Sequence, residues 1–126
     1  MAKVKTGELT DAALDWAVQE IEYQRMIAEG EHVKQWALDD HRAGASINHY
    51  STDWLWGGPI IDRERITIRQ WTNMPSIHAY MPHDGAPWGA GSTPLIAAMR
   101  CFCRSKLGNE VEVPEELTCS PTPKND

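Results

Sequence analysis

Two stretches of the chain place small and polar residues just ahead of a predicted helix, and both could hold an anion. The first is Ser51-Thr52-Asp53, running through Trp54 to Gly57-Gly58-Pro59; the second is Gly89-Ala90-Gly91-Ser92-Thr93-Pro94. A helix start presents unpaired backbone N–H groups and a partial positive charge, and glycines let a phosphate or carboxylate come close. If the fold brings both starts to one edge, Ser51, Thr52, Asp53, Gly57, Gly58, Ser92 and Thr93 would rim a pocket for a nucleotide-like ligand. Trp54, Trp56 and Trp88 would then be available to stack on a base, and Arg63 or Arg65 to pair with a phosphate. Ordinary capping and turn formation explain the same residues, because neither stretch is a P-loop or a GxGxxG. Trp88, in a Gly/Pro-rich loop, suits a ligand or subunit contact as well as a tryptophan folded back over the core.

Other chemistry has weaker support. His41 and His49, with Asp39, Asp40 and Asp53 nearby, fit no metal-ligand spacing and read as solvated loop histidines. Cys101 and Cys103 stand two apart on a predicted helix, so they cannot readily chelate one metal together. With Cys119 they make an odd count, which favours reduced thiols over a disulfide framework. No GxSxG elbow appears and no cysteine sits in an activated context. No catalytic residue, metal ligand or cofactor is therefore assigned. Arg63, Arg65 and Arg69 are interleaved with Asp62 and Glu64 and read as a charged helix end entering a strand.

The elements that must position these residues follow from periodicity. Leu14, Ala17, Val18 and Ile21 recur at helical spacing after the capping candidate Thr10, so residues 11 to about 25 form an amphipathic helix, stapled by Leu9 and Leu14. Glu31 to Arg42 fits either a second helix or a short strand with a loop. Gly57, Gly58 and Pro59 disfavour a helix interior, so a turn should precede a short helix from Pro59 to about Arg65. Ile66–Trp71 and Ser76–Met81 alternate as strands around the turn Thr72–Pro75, which predicts an antiparallel hairpin. A loop should run from Pro82 to Ser92. Thr93 then caps a helix with Pro94 at its first position and Leu95, Met99, Phe102, Cys103 and Leu107 on one stripe, ended by Gly108. Arg104 and Lys106 suit the negative end of its dipole. The expected fold is α+β, a small antiparallel sheet packed with an N-terminal and a C-terminal helix in a sandwich-like arrangement. Residues 1–117 form one domain, and 118–126 a polar, frayed tail.

The chain has 126 residues, with 12 Lys and Arg against 18 Asp and Glu, for a net charge of −6. That balance argues against nucleic acid as a partner, since backbone binding draws on cationic side chains. No 18-residue apolar run suggests a membrane span, and the start MAKVKTGELTD has no signal-peptide core, so a cytoplasmic protein is expected.

Three segments, in order, resemble the NinX-like proteins of lambdoid bacteriophages and prophages. They are LTDAALDWAV, then YSTDW with GGPIIDRERI, then GSTPLIAAMRCFCRSKLGNEVEVPEEL. Met1–Val18 and Tyr50–Leu117 carry the resemblance; residues 19–49 do not. It implies a short accessory protein of a phage or prophage, active in an infected or lysogenic bacterium, with an α-β-α sandwich. It carries no reaction and no catalytic residue with it. The reading reached is an accessory protein that acts by binding a nucleotide-like small molecule or a host protein, to blunt host defence signalling. Two alternatives stand beside it. One is a small nucleotide-processing hydrolase or transferase; the other is a protein-interaction module that forms a homo-oligomer through an aromatic face.

Overall fold

The computed structural model describes residues 1–70, 72–81 and 87–118. Strand β1 (Ala2–Lys5) leads through a 3-10 turn at Thr6–Glu8 into helix α1 (Asp11–Ala28). Leu9 and Leu14 are both fully buried, as a staple requires. Thr10 caps α1 through its carbonyl, which Ala13 and Leu14 N–H reach at 3.1 and 3.2 Å, while its side chain makes no cap bond. Helix α2 (Gln35–Arg42) makes the second half of the open 31–42 segment helical, with residues 31–34 leading into it as irregular chain.

Helix α3 (Trp54–Glu64) begins five residues earlier than the Gly-Gly-Pro run suggested. Asp53 caps it by accepting the Leu55 N–H at 2.9 Å. Gly57 is glycine for a tertiary reason, because a Cβ there would collide with the Tyr50 carbonyl oxygen and lie 2.6 Å from Leu95 Cδ2. Close packing between elements outweighs the modest propensity cost of glycine.

The expected hairpin is present: β2 (Thr67–Arg69) pairs antiparallel with β3 (Ile77–Tyr80), Thr67 opposite Tyr80 and Arg69 opposite His78. Trp71, expected at the end of the first strand, lies outside the described residues. The expected loop to Ser92 is corrected at its end, where β4 (Trp88–Gly91) extends the sheet in the order β2-β3-β4. Its composition reads as loop because helix α4 (Pro94–Leu107) lies directly against it. A Cβ on Gly89 would sit 2.5 Å from Cys101 N and 2.6 Å from Ala97 O, and one on Gly91 would sit 2.6 Å from Ile96 Cγ2. Only bare backbone fits between strand and helix.

A second sheet was missed altogether. β1 pairs antiparallel with β5 (Glu110–Val113), a segment that reads as polar chain by composition. Its register sets Lys3 opposite Glu112 and Lys5 opposite Glu110, pairs that favour this alignment. Helix α5 (Glu115–Thr118) follows, and the tail expected from 119 onward lies outside the described residues.

Helix α4 is the centre of the fold. It packs on β3 and β4 on one side and on α1 and α3 on the other. Ala97, Ala98, Met99, Cys101, Phe102 and Cys103 are accordingly all buried. The result is an α+β fold with, among the described residues, five α-helices and two small antiparallel sheets. Among the described residues no helix is long and apolar enough to cross a membrane.

Candidate functional site

The two helix starts do come together. Ser51, Thr52 and Trp54 from the head of α3 and Thr93, Pro94 and Ile96 from the head of α4 line a cleft of about 230 Å³. Most of its polar groups are already engaged. The Thr93 hydroxyl accepts the Ile96 N–H at 3.2 Å, and Asp53 accepts from Leu55. Ser51 is buried and donates its N–H to Asp15 Oδ1 at 2.7 Å. Burial raises the Asp15 carboxyl above the usual carboxylate range, with the Ser51 hydrogen bonds pulling the other way. Gly57 is packed inside against Tyr50 and Leu95, and Gly58 lies beneath the Trp54 ring. Trp54 and Leu55 are exposed.

Arg63 is not brought to that cleft. It sits at the far end of α3, bidentate on Glu22 at 3.2 and 2.7 Å, on Glu64 at 2.9 Å, and over the Phe102 ring. Both of its terminal nitrogens and Nε are occupied, which ties α3 to α1. Trp88 and Ser92 belong to a different cleft again.

That second cleft, about 420 Å³, runs along the outer edge of β4, between Trp88–Ser92, Gly7, Ser76 and the α4 arginines 100 and 104. In an antiparallel pair, alternate residues turn their peptide groups away from the partner. Met81 N–H donates to Pro87 O, so the Trp88 and Ala90 carbonyls face the free edge. Each is capped by a guanidinium: Arg104 Nη1 donates to Trp88 O at 3.2 Å and Arg100 Nη1 to Ala90 O at 2.7 Å. Arg100 Nε also donates to Leu9 O at 2.8 Å. Such capping blunts a sheet edge that would otherwise pair with another chain.

The capping bonds are made to neutral carbonyls and leave the positive charge of both groups in place. Among the described residues neither Arg100 nor Arg104 forms an ion pair. Burial lowers the Arg100 pKa from its ordinary value, and the charge of Asp11 opposes that only in part. Arg104 lies 4.9 Å over the Trp88 ring, and its Nε is buried with no hydrogen-bond partner among the described residues. A Cβ on Gly7 would fall 2.7 Å from Arg104 Nη2, so Gly7 makes room for that side chain. Trp88 itself is 51% exposed, with His78 tilted against it at 6.3 Å. The site therefore joins two guanidiniums that form no ion pair among the described residues to an exposed indole in one concave surface.

Arg100 was not singled out in the sequence, and Arg104 was assigned to the helix dipole. A signal was present: the two are one turn apart on a helix with no Asp or Glu in its fourteen residues.

Two expectations need correction. His41 is no solvated loop histidine. It lies 1% exposed in α2, stacked on Trp16 at 4.5 Å. Its Nε2 meets Glu20 Oε1 at 2.8 Å and its Nδ1 meets Gln19 Nε2 at 3.2 Å. Its apolar stacking partner is twenty-five residues away, which local composition cannot reveal. Trp88 is on a strand and not in a loop, as described above. His49 is exposed. Cys101 and Cys103 are both buried free thiols, and burial pushes Cys101 up to about 12 against the pull of Arg104, leaving no reactive thiolate at neutral pH. Among the described residues no group of three His, Cys, Asp or Glu is placed to hold a metal.

These features define a small α+β protein with a cationic, aromatic surface cleft and no assembled catalytic group among the residues described. The family model of bacteriophage P22 NinX matches residues 5–106, and the chain belongs to that family. The match takes in residues 19–49, outside the segments that carry the resemblance in the sequence. No curated protein matches the chain.

Proposed function

We propose that this NinX-family protein is a phage accessory factor of the host cytoplasm that works by binding, without turnover, a nucleotide-like small molecule in the β4–α4 cleft. Sequestering such a molecule would blunt host defence signalling. One observation carries the reading: Arg100 and Arg104, without ion-pair partners among the described residues, bring two guanidiniums beside the exposed indole of Trp88. Guanidinium groups suit phosphate oxygens, and indole and guanidinium planes both stack on bases. The helix-start cleft is the weaker candidate, since its cap groups are already satisfied within the chain.

The test is calorimetric titration of nucleoside monophosphates into wild type, Arg104→Ala and Trp54→Ala, each first checked by thermal melting. Arg104→Ala should weaken binding at least tenfold, as expected for a charge-assisted contact worth about 1.5–3 kcal/mol, and Trp54→Ala should not. Loss of binding in Trp54→Ala alone would move the ligand to the helix starts, and no binding to any nucleotide would remove the reading. Ligand recovered intact from the heat-denatured complex supports sequestration; altered ligand would replace it with turnover.

A further inference from the structure

Trp88, at the rim of the cleft, also belongs to the outer face of the three-stranded sheet. The register of the three-stranded sheet puts Thr67 beside Tyr80 and Tyr80 beside Trp88, with Arg69 beside His78 and His78 beside Ala90. Alternation sends Ile77 and Ala79 into the core, where both are buried, so His78 and Tyr80 project from the opposite face together with Trp88. The 6.3 Å contact of the His78 and Trp88 rings places them on that same face. Tyr80 and Trp88 are directly opposed at a position where the strands exchange no hydrogen bonds, the closer of the two antiparallel spacings, with Cα atoms about 4.5 Å apart. Arg104 reaches this face around the edge of β4 and lies over Trp88. Thus the register sets a half-buried tyrosine directly opposite the exposed Trp88, whose indole shares the cleft with two guanidiniums spaced one helical turn apart.

From this juxtaposition we infer that the ligand of the cleft is a dinucleotide: two nucleobases on a phosphodiester backbone, one base on Trp88 and the second on Tyr80. The inference rests on the reading of the β4–α4 cleft as the binding site. Aromatic side chains on adjacent strands of a sheet are a recurrent platform for unstacked bases, each stacked base adding affinity without sequence readout. Arg100 and Arg104 supply cationic charge for the phosphates of such a ligand. The net charge of −6 works against a long polyanion, which favours a short ligand over a nucleic-acid strand.

The experiment titrates AMP, linear pApA, cyclic di-AMP and a ten-residue oligodeoxyadenylate into the full chain, with Trp fluorescence and calorimetry as readouts. At least one of the two dinucleotides should bind ten-fold or more tighter than AMP, saturating at one per chain. Tyr80→Thr should collapse that ratio to near one, and Tyr80→Phe should preserve it; melting curves of both confirm that the sheet is intact. AMP binding as tightly as both dinucleotides overturns the inference and leaves the cleft reading standing. Affinity that keeps rising to the oligomer, at several chains per strand, overturns it in favour of single-stranded nucleic acid. Absence of binding by all four ligands removes the cleft reading and the inference together.

Discussion

The close approach of β4 to α4 supports both the fold and the cleft, and one methyl group tests it. In Gly89→Ala the new Cβ would stand 2.5 Å from Cys101 N and 2.6 Å from Ala97 O. Both are helix backbone atoms and cannot rotate away, so strand and helix must separate by roughly 0.9 Å to reach ordinary contact. Overpacking of this kind costs about 1–3 kcal/mol, and the upper end applies where backbone is struck. Alanine returns about 0.8 kcal/mol by restricting the unfolded chain, leaving a net loss of about 2 kcal/mol. At about 2.1 cal/mol/K per residue, unfolding this 126-residue chain carries an entropy near 0.26 kcal/mol/K, so Tm should fall by about 8 °C. Gly58→Ala is the matched control. Its Cβ would meet Trp54 Cε3 at an ordinary 3.6 Å, and the clash of a Cβ with the ring of the following Pro59 offsets the usual helix gain of about 0.5–1 kcal/mol, so Tm should stay within about 2 °C of wild type. Differential scanning calorimetry of both variants reads the difference directly. A Gly89→Ala variant as stable as wild type would refute the strand-on-helix packing from which the cleft is built.

Three further outcomes follow from the same structure. His41→Ala removes a buried ring stacked on Trp16 and its hydrogen bonds to Gln19 and Glu20; chemical denaturation should show a loss of about 3 kcal/mol, with nucleotide affinity at the distant β4 cleft unchanged. Asp15 is buried and its pKa is raised, so its ionised form opposes folding; that stability is fully present below the unfolded value near 3.8 and is lost as pH rises through the folded value. Asp15→Asn should therefore melt above wild type at pH 7.5 and lose that advantage on acidification toward pH 4, and a pH-independent difference would contradict the assignment. Glu64 and Glu20 have the opposite sign, lowered respectively by Arg63 with Lys106 and by His41, so wild type should lose stability as pH falls below about 4.5 in an acid-melting series.

What could be read from the sequence was whatever local pattern encodes. The 11–25 periodicity, the Thr93-Pro94 start and the Ile66–Met81 hairpin are each written in residues within a few positions of one another, and the structure contains all three. The misses share a cause in tertiary contact. Gly57, Gly89 and Gly91 looked like breakers because their reason is a neighbouring backbone far along the chain. The β1–β5 ribbon joins residues more than a hundred apart, and its signal, Lys-Val-Lys against Glu-Val-Glu, emerges only when the two ends are compared. The candidate residues Ser51, Thr52, Trp54 and Thr93 do share a cleft, whereas Trp88 and Ser92 share another with Arg100 and Arg104. Arg63 carries the right chemistry but spends it on Glu22 and Glu64. Charge pairing across elements, unlike capping, leaves no short motif.

The most direct test of the central claim is an NMR titration of ¹⁵N-labelled protein with pApA, following the indole N–H resonances, with Trp88 assigned from Trp88→Phe. The account predicts saturable shifts of the Trp88 indole and the Arg104 Nε–H, with the exposed indoles of Trp36, Trp54 and Trp56 unmoved. Shifts confined to Trp54 and Trp56, or none at millimolar ligand, would contradict it.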